Sequence, residues 1–389
     1  MRIGFFSWES LNSLTSGGVA VVVTRLAEAL VHAGHEVHVF TRMGGGQAEH
    51  EVINGVHEHR CISPGMDDFI EYMDHVCDSL VSCFHHVESE VGRFDVLHGH
   101  DWHVVNALAN LHANKGYDKI VWTCHSTEYG RNGNHFADSW FSARIRHREW
   151  LGGYIASQVT TVSWGMREEL KREYQMHENK VNVIYNGINT EKYAGTIDAG
   201  RVKEGYGIHP FTPVILFLGR MAYQKGPDLL MEAIPQVLGA YPSATFIFAG
   251  TGDMTGHIGG RGMFLGVSDN LRVLGYISED EKLSLLKAAD IVCIPSRNEP
   301  FGIITLEAWA SGTPVVVCDV GGPSEVVDNF HTGIKTFVNP ESIAWGIRYL
   351  LGDTSGASIK KMGAVCRKAA KKYDWHELCN QYLEVYGKL

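Results

Sequence analysis

The sequence lacks the features that mark several common classes of protein. Its eight cysteines include no C-x-x-C pair, which predicts buried free thiols and a reducing compartment. No apolar run approaches the roughly 18 residues that a membrane-spanning helix needs. The apolar start, residues 1–6, turns polar too soon for a signal peptide and predicts a first strand. We therefore expect a cytoplasmic protein with no membrane insertion.

Positive charge is also scarce. The chain has 34 Lys and Arg against 44 Asp and Glu, for a net charge of −10. A nucleic-acid-binding protein carries a basic face, so we expect no nucleic-acid partner. Charged residues at 20% and hydrophobic residues at 44% exclude disorder, collagen and coiled coil. The 389 residues predict two domains of about 190 residues each.

Several catalytic motifs are missing as well. No G-x-G-x-x-G follows the first strand, which disfavours a nicotinamide dinucleotide site. Neither H-E-x-x-H nor D-x-D occurs, so no metal site is predicted. The nearest approach to the serine hydrolase motif G-x-S-x-G, residues 161–165, lacks the first glycine.

What the sequence does contain is a regular alternation of short apolar runs and longer amphipathic stretches. The apolar runs, rich in Val, Ile and Phe, predict strands that are buried on both faces, as in parallel sheets covered by helices. They are residues 3–7, 36–41, 96–98, 120–124, 159–162, 214–218, 244–249, 271–274, 291–294 and 314–318. Helices are predicted between them, for example over 20–33, 166–173, 229–240, 281–288 and 306–310. The fold class is therefore α/β, with doubly wound Rossmann-like domains.

The alternation is interrupted once, in a stretch rich in Gly, Asn and Asp over residues 186–207. We place the domain boundary there, with an N-terminal domain over 1–190 and a C-terminal domain over 200–373. Two such domains facing each other form a cleft at the carboxyl ends of their strands, where these folds bind ligands.

The most informative motif spans residues 298–308. Pro300 and Gly302 open a helix behind a buried strand, and Glu299 and Glu307 flank its start. Free backbone N–H groups at residues 301–304 offer an anion site, while the carboxylates suit sugar hydroxyls. The alternative is an ordinary helix start whose acids complement the helix dipole.

Two further segments offer phosphate-binding chemistry. Arg220 and Lys225 follow the strand at 214–218 and could hold a diphosphate, although the segment is not a Walker A loop. Near the N-terminus, Ser16-Gly17-Gly18 precedes a helix, and paired glycines let backbone approach a phosphate closely. The alternative for the Arg220 to Lys225 segment is a surface turn with two solvated charges. The alternative for the glycines is an ordinary tight turn.

Histidines cluster after two predicted strands, at residues 98–103 and at His125. We expect both clusters on the rim of the cleft. Ligand-type side chains at His100, Asp101 and His103 make a metal site conceivable. A carbohydrate-binding rim fits better, and histidines that merely cap strand ends are a further alternative.

Taken together, these motifs resemble the retaining glycosyltransferases of the GT-B fold, in particular family 4 and the glycogen and starch synthases. The specific elements are Glu299 to Glu307 followed by residues 311–316 and 321–322, and the Arg220 to Lys225 segment. Asn186-Gly187 and the last helix fit the family too. Departures are an additional Pro323 and Lys335, which put recognition of the nucleotide base in doubt.

The resemblance implies a role for each position. On the donor side, Arg220 and Lys225 would bind the diphosphate, and Glu307 would bind the ribose. Glu299 would bind the transferred sugar. The backbone of Phe301, Gly302 and Ile303 would contact sugar and phosphate, and Gly17 and Gly18 would close from the other domain. His125 would lie against the reacting sugar, and His100, Asp101 and His103 would face the acceptor. It also implies that the final helix, residues 374–389, crosses back onto the N-terminal domain.

The activity implied is retaining, metal-independent transfer of a sugar, with no cofactor. The partners are a nucleotide-sugar donor and a carbohydrate acceptor. Residues 124–131 look like a glucan-synthase segment, which favours glucose from UDP- or ADP-glucose and a glycogen-synthase-like α-glucan acceptor. A GT-B sugar-nucleotide epimerase and a non-catalytic nucleotide-sugar binder are the alternatives; a phosphorylase would need a pyridoxal phosphate site that no segment suggests. The oligomeric state is not predicted.

Overall fold

The chain divides into two compact units in a computed structural model that describes residues 1–15, 17–353 and 356–389. The first unit is Met1–Asn186 with Trp375–Leu389, and the second is Gly187–Asp374. The division falls a few residues before position 190, the end that the sequence predicts for the first domain. Ser16 of the proposed phosphate loop lies outside the described residues.

The strands and helices alternate along both units. The strands are β1 Arg2–Phe6, β2 Glu36–Arg42, β3 His50–Ile53, β4 Val56–Cys61, β5 Val96–His100, β6 Ile120–Cys124, β7 Gln158–Thr161, β8 Val181–Val183, β9 Val214–Leu218, β10 Thr245–Ala249, β11 Leu271–Gly275, β12 Ile291–Ile294, β13 Val315–Cys318 and β14 Gly333–Thr336. The α-helices are α1 Gly18–His32, α2 Phe69–Val91, α3 Val105–Lys115, α4 Glu128–Arg131, α5 Trp140–Ile155, α6 Trp164–Glu173, α7 Ala199–Gly205, α8 Pro227–Leu238, α9 Thr255–Phe264, α10 Glu279–Ala288, α11 Ile303–Ser311, α12 Gly321–Val326, α13 Pro340–Leu351, α14 Ala357–Ala370 and α15 Trp375–Tyr386.

The sheet of the first unit has the order β3-β4-β2-β1-β5-β6-β7-β8. All its pairings are parallel except β3 with β4. Ile3 of β1 lies between Val37 and Val96, and all three side chains are buried. Central strands that are apolar on both faces are stabilised by helices packing on each side, as the sequence predicts.

The final helix belongs to the first unit. The hydroxyl of Tyr386 in α15 lies 2.7 Å from Nδ1 of His98 in β5, and His376 packs its ring against His32 of α1 at 4.9 Å between centroids. The chain thus returns to the first sheet after the second is complete, as the resemblance implies.

The sheet of the second unit is parallel throughout, with the order β11-β10-β9-β12-β13-β14. Its core is aliphatic and aromatic, with Ile215, Phe246 and Val316 fully buried. Strands β9 and β12 are neighbours, so the loops that leave their carboxyl ends lie side by side. That edge is where doubly wound sheets bind ligands.

The predicted α/β class with two doubly wound domains is confirmed. Strands at 120–124, 214–218 and 291–294 match the prediction residue for residue. Within the described part of the chain, no helix combines the length and the apolar character needed to cross a bilayer.

Candidate active site

The loops after β9 and β12 of the second unit are held close together. Gly226, at the end of the β9 loop, has φ +65, and a Cβ added there would lie 2.1 Å from the carbonyl oxygen of Pro295. A side chain at this position would therefore push the two loops apart. The close approach places Lys225 of one loop beside Glu299 of the other.

Lys225 and Glu299 form an ion pair. The ammonium donates to both carboxylate oxygens, at 2.7 and 2.8 Å, and the Ser296 hydroxyl donates to Oε2 at 2.8 Å. Glu299 is buried, whereas the Lys225 side chain keeps 26% of its exposure. The structure therefore brings together two residues that are 74 positions apart. Ser296 was not singled out in the sequence.

Arg220 lies on the same loop and is exposed. Its guanidinium donates to the side-chain oxygen of Gln224 at 3.1 Å. Gln224 is buried, and its carbonyl accepts from the backbone N–H of Arg297 at 2.8 Å, which ties the two loops together. Arg220 is thus anchored at its end while remaining accessible to an anion.

The predicted helix start is present at Gly302. This residue has φ +79 and precedes α11, and Thr305 donates its backbone N–H back to the Gly302 carbonyl at 2.9 Å. Gly322 donates to the Glu299 carbonyl at 2.9 Å, and a Cβ on Gly321 would lie 1.9 Å from that oxygen. The turn from Glu299 to Gly302, which includes Phe301, is thereby fixed against a second helix start. Ile303 is the first residue of α11.

Glu307 lies on the second turn of α11 and is 8% exposed. Its Oε1 accepts from the Tyr193 hydroxyl at 3.0 Å and from the Lys282 ammonium at 2.8 Å. Neither partner was found from the sequence, because Tyr193 lies within the inter-domain stretch and Lys282 lies in an acidic helix. No motif spacing connects them to Glu307.

In the first unit, His100 and His125 meet at the carboxyl ends of β5 and β6. His100 Nδ1 lies 3.1 Å from His125 Nε2, and the rings are stacked within 13° of parallel. Burial lowers the pKa of His125 to about 3 and that of His100 well below its usual value. Both imidazoles are therefore neutral at pH 7, so each ring has one nitrogen that donates and one that accepts.

Asp101 fixes the His125 backbone. It has φ +59, an unusual conformation for a residue with a side chain, and its Oδ1 accepts from the His125 N–H at 2.7 Å. Burial raises the pKa of Asp101 to about 6, although Arg131 opposes the shift. The Trp122 indole donates to its carbonyl at 3.0 Å, which holds the strained turn in place.

The sequence placed the first histidine cluster beyond the end of its strand, and for His100 this is wrong. The strand β5 extends to His100, which is fully buried, and Asp101 is only 4% exposed. Of His100, Asp101 and His103, only His103 is partly exposed, and its ring stacks on that of Trp8 with 4.3 Å between centroids. Pairing with both neighbouring strands carries β5 further than its apolar run indicates.

The paired glycines begin α1, as expected, but their surroundings differ from an open phosphate loop. Gly17 caps the helix in an extended conformation, and its N–H donates to the carboxylate of Glu9 at 2.9 Å. Glu9 is 2% exposed. A carboxylate of the chain itself therefore occupies one of the donors at this helix start.

Acidic and histidine side chains do not form a metal centre in the part of the chain that is described. No group of three or more His, Cys, Asp or Glu residues among these positions is arranged to hold a metal ion.

Comparison with known proteins identifies the family. The model of "Glycosyl transferases group 1" matches residues 201–373, and that of "Glycosyltransferase Family 4" matches residues 16–192. An uncharacterized glycosyltransferase of Methanocaldococcus jannaschii is 35% identical over 99% of this chain and 98% of its own. The chain belongs to the group 1 and family 4 glycosyltransferases.

The glycosyltransferase also resembles proteins with named activities. The glycogen synthase of Mycobacterium tuberculosis is 28% identical over 99% of this chain and 94% of its own. The structure of sucrose-phosphate synthase from Thermosynechococcus elongatus superimposes with a TM-score of 0.82 at 21% identity, covering 100% and 98% of the two chains. The predicted GT-B fold and the predicted class of enzyme are confirmed.

Proposed function

We propose that this glycosyltransferase moves glucose, with retention and without a metal ion, from UDP- or ADP-glucose to a carbohydrate acceptor such as an α-glucan. The observation that carries the proposal is the Lys225–Glu299 ion pair beside the start of α11, with Arg220 exposed on the same loop. This group combines cations for a diphosphate with a carboxylate for sugar hydroxyls.

The ion pair explains how the donor would be received. With no donor bound, Glu299 neutralises Lys225. A diphosphate carries more negative charge than one carboxylate, so it draws the ammonium toward itself and frees the Glu299 oxygens to accept from the hydroxyls of the transferred sugar. Ser296 keeps the carboxylate in position during this exchange, because its hydroxyl bond does not depend on Lys225.

The chemistry then depends on stabilising the leaving group. Breaking the bond between the anomeric carbon and the phosphate oxygen places negative charge on the diphosphate and positive charge on the sugar ring. Arg220, Lys225 and the backbone N–H groups at Gly302 and Ile303 stabilise the diphosphate from fixed positions. On a same-face route, the departing phosphate oxygen accepts the proton of the acceptor hydroxyl, and the configuration is retained.

In the first unit, His125 would contact the reacting sugar. The neutral His125 ring can donate a hydrogen bond to a sugar hydroxyl without placing a positive charge beside the developing oxocarbenium ion. His100 and Asp101 position that ring, and His103 faces the acceptor. Gly17 and Gly18 would bind a phosphate once the Glu9 carboxylate releases the Gly17 N–H.

A glucosyl donor is favoured by two observations. Residues 124–131 resemble the glucan-synthase segment, and one relative along nearly the whole chain is named glycogen synthase.

The experiment is nucleotide release from UDP-, ADP- and GDP-sugars, each with and without glycogen and simple sugars, in EDTA. Acceptor-dependent release from one glucosyl donor is the expected result. Release that ignores every acceptor would place the true acceptor outside the panel and contradict an α-glucan. Conversion of the donor to an isomer would establish an epimerase, and binding without either reaction would establish a non-catalytic binder.

Variants test the roles of the two cations. Arg220→Ala and Lys225→Ala each remove a charge from the leaving group and are expected to lower kcat by about 100-fold or more. Arg201→Ala and Lys361→Ala remove exposed cations elsewhere on the second unit and serve as matched controls. Rates near those of the wild type in Arg220→Ala and Lys225→Ala would overturn the proposed mechanism.

A further inference from the structure

The Glu307 carboxylate is held at one oxygen and open at the other. Oε1 accepts from Tyr193 and from Lys282, at 3.0 and 2.8 Å. Among the described residues, no group donates to Oε2. The side chain is 10% exposed, so a ligand can reach it from one side only. Two donors on one oxygen fix the direction in which the remaining lone pairs point.

Lys282 is itself held between two carboxylates. Its ammonium lies 2.8 Å from Glu307 and 2.8 Å from Glu279, and Glu279 pairs in turn with Lys192 at 2.6 Å. Burial acts to lower the pKa of Lys282, but the two carboxylates outweigh it and raise the pKa above its usual value. The ammonium is therefore charged at neutral pH, and two of its three N–H groups are engaged.

This arrangement matches a pair of vicinal hydroxyls. Each hydroxyl donates one hydrogen bond and accepts others. Glu307 Oε2 can accept from one hydroxyl while the third N–H of Lys282 donates to the oxygen of its neighbour. The two protein groups are already adjacent, as two hydroxyls on neighbouring ring carbons are.

We propose that Lys282, together with Glu307, recognises the ribose hydroxyls of the donor and makes the site select ribonucleotide donors over deoxyribonucleotide donors. The inference rests on the proposed function, together with the ribose role that the resemblance implies for Glu307. It adds a residue that no sequence motif indicates. A donor that lacks one hydroxyl leaves a buried charged group without its partner, and a site built around hydroxyl recognition discriminates strongly against such analogues.

The test combines a protein change with a substrate change. kcat/KM is measured for the ribonucleotide glucose donor that the enzyme uses and for its 2′-deoxy and 3′-deoxy analogues. The wild type is expected to prefer the ribonucleotide by about 10-fold or more over each analogue. In Lys282→Met, kcat/KM for the ribonucleotide donor is expected to fall about 10-fold below the wild-type value. For one of the two deoxy analogues, kcat/KM is expected to equal that of the wild type, because the missing hydroxyl and the missing ammonium belong to the same contact.

Matched variants separate recognition from folding. Lys287→Met removes another lysine of α10, whose ammonium bonds the Gly195 carbonyl, and should keep the wild-type preference. Lys282→Arg restores a donor and should recover part of the preference. If Lys282→Met does not fold, Lys282→Gln is measured in its place.

The possible results distinguish failure of the Lys282 inference from failure of the proposed function. Equal use of ribonucleotide and deoxy donors by the wild type overturns the inference and leaves the proposed function intact. An equal loss on all three donors in Lys282→Met and Lys282→Gln also overturns it, since Lys282 would then be purely structural. If no nucleotide sugar is bound or used, the proposed function falls and this inference falls with it.

Discussion

At the residue scale, the segment after β6 depends on an ion pair between Arg131 and Glu149. The guanidinium donates to the carboxylate at 2.6 Å, and Glu149 also accepts from the Tyr174 hydroxyl and from the Glu128 N–H at 2.8 Å. Glu149 is fully buried, whereas Arg131 is 21% exposed. The segment carries His125 at its start, so this pair helps to hold the part of the chain that bears a proposed sugar-binding residue.

Arg131→Ala is expected to destabilise the first unit by about 3 kcal/mol, because it leaves a buried carboxylate without its counter-charge. Burial already raises the pKa of Glu149 despite Arg131, so the variant should take up a proton there. The loss should therefore be larger at pH 8 than at pH 6. Urea unfolding at the two pH values measures it.

Arg144→Ala provides the control. Arg144 pairs with Asp74 at 3.4 Å, and both side chains are well exposed. Pairs of this kind contribute at most about 1 kcal/mol. If the two variants unfold at the same urea concentration, the buried pair has no special importance.

At the element scale, the turn that carries Glu299 depends on two glycines at the start of α12. Gly321 has φ +55, and its Cα approaches the Glu299 carbonyl so closely that a methyl group would meet it at 1.9 Å. The pairing of Glu299 with Lys225 thus depends on a helix that contributes no side chain to the site.

Gly321→Ala is expected to move the Glu299 turn and to lower transfer activity by about 10-fold or more, since small displacements of reacting groups are costly. Gly256→Ala, in α9, is the matched control, because nothing lies within 4 Å of the added methyl group. Activity assays and thermal unfolding of both variants measure the difference. Full activity in Gly321→Ala would show that the turn does not need this contact.

The elements also show where sequence patterns are informative. Strands β9 and β12 are continuous apolar runs ended by Gly or Pro, so their limits were predicted correctly. Strand β4, of sequence VHEHRC, carries histidines and charges that are buried beside β2, and no apolar run reveals it. Helix α5 buries Arg148 and Glu149 while exposing Trp140 and Trp150, which reverses the usual amphipathic pattern.

The residues of the candidate site also fall into some that the sequence predicts and some that it does not. Arg220, Lys225, Glu299 and Glu307 come from short local motifs and were found in the sequence. Tyr193 is 114 positions from Glu307, and only the folded chain brings them together. Contacts of this kind arise from the packing of whole elements, which the local spacing of residues does not encode.

At the scale of the whole molecule, the two units differ in their content of buried histidine. Among the described residues, the histidines whose pKa is lowered all belong to the first unit: His35, His38, His57, His59, His98, His100, His103 and His125. For His98 and His125, burial lowers the pKa to about 3. These imidazoles take up protons more readily in the unfolded chain, so acid favours unfolding of the first unit.

The first unit should therefore lose stability as the pH falls below about 6.5, by about 2 kcal/mol at pH 5 for each of His98 and His125. Asp101 acts in the opposite direction, because its pKa is raised to about 6 and the folded state gains stability as it is protonated. Hydrogen exchange by mass spectrometry at pH 7 and pH 5, corrected for the intrinsic rate, should show earlier loss of protection in the first unit.

Two variants test whether the buried histidines cause the pH dependence of stability. His98→Gln removes one of the buried titrating groups, so its stability should depend less on pH between 5 and 7, although it is less stable at pH 7. His209→Gln, an exposed histidine of the second unit, should keep the wild-type pH dependence. Equal or earlier loss of protection in the second unit at pH 5 would contradict the explanation.

The position of α15 has a consequence for protein synthesis. Tyr386 bonds His98 across 288 positions of the chain, and everything between residues 187 and 374 builds the other unit. On the ribosome, the second unit therefore has all its strands and helices before the first, although the first is translated earlier. The sheet of the first unit is therefore synthesised long before α15, and the surface that binds α15 stays uncovered until residues 375–386 emerge.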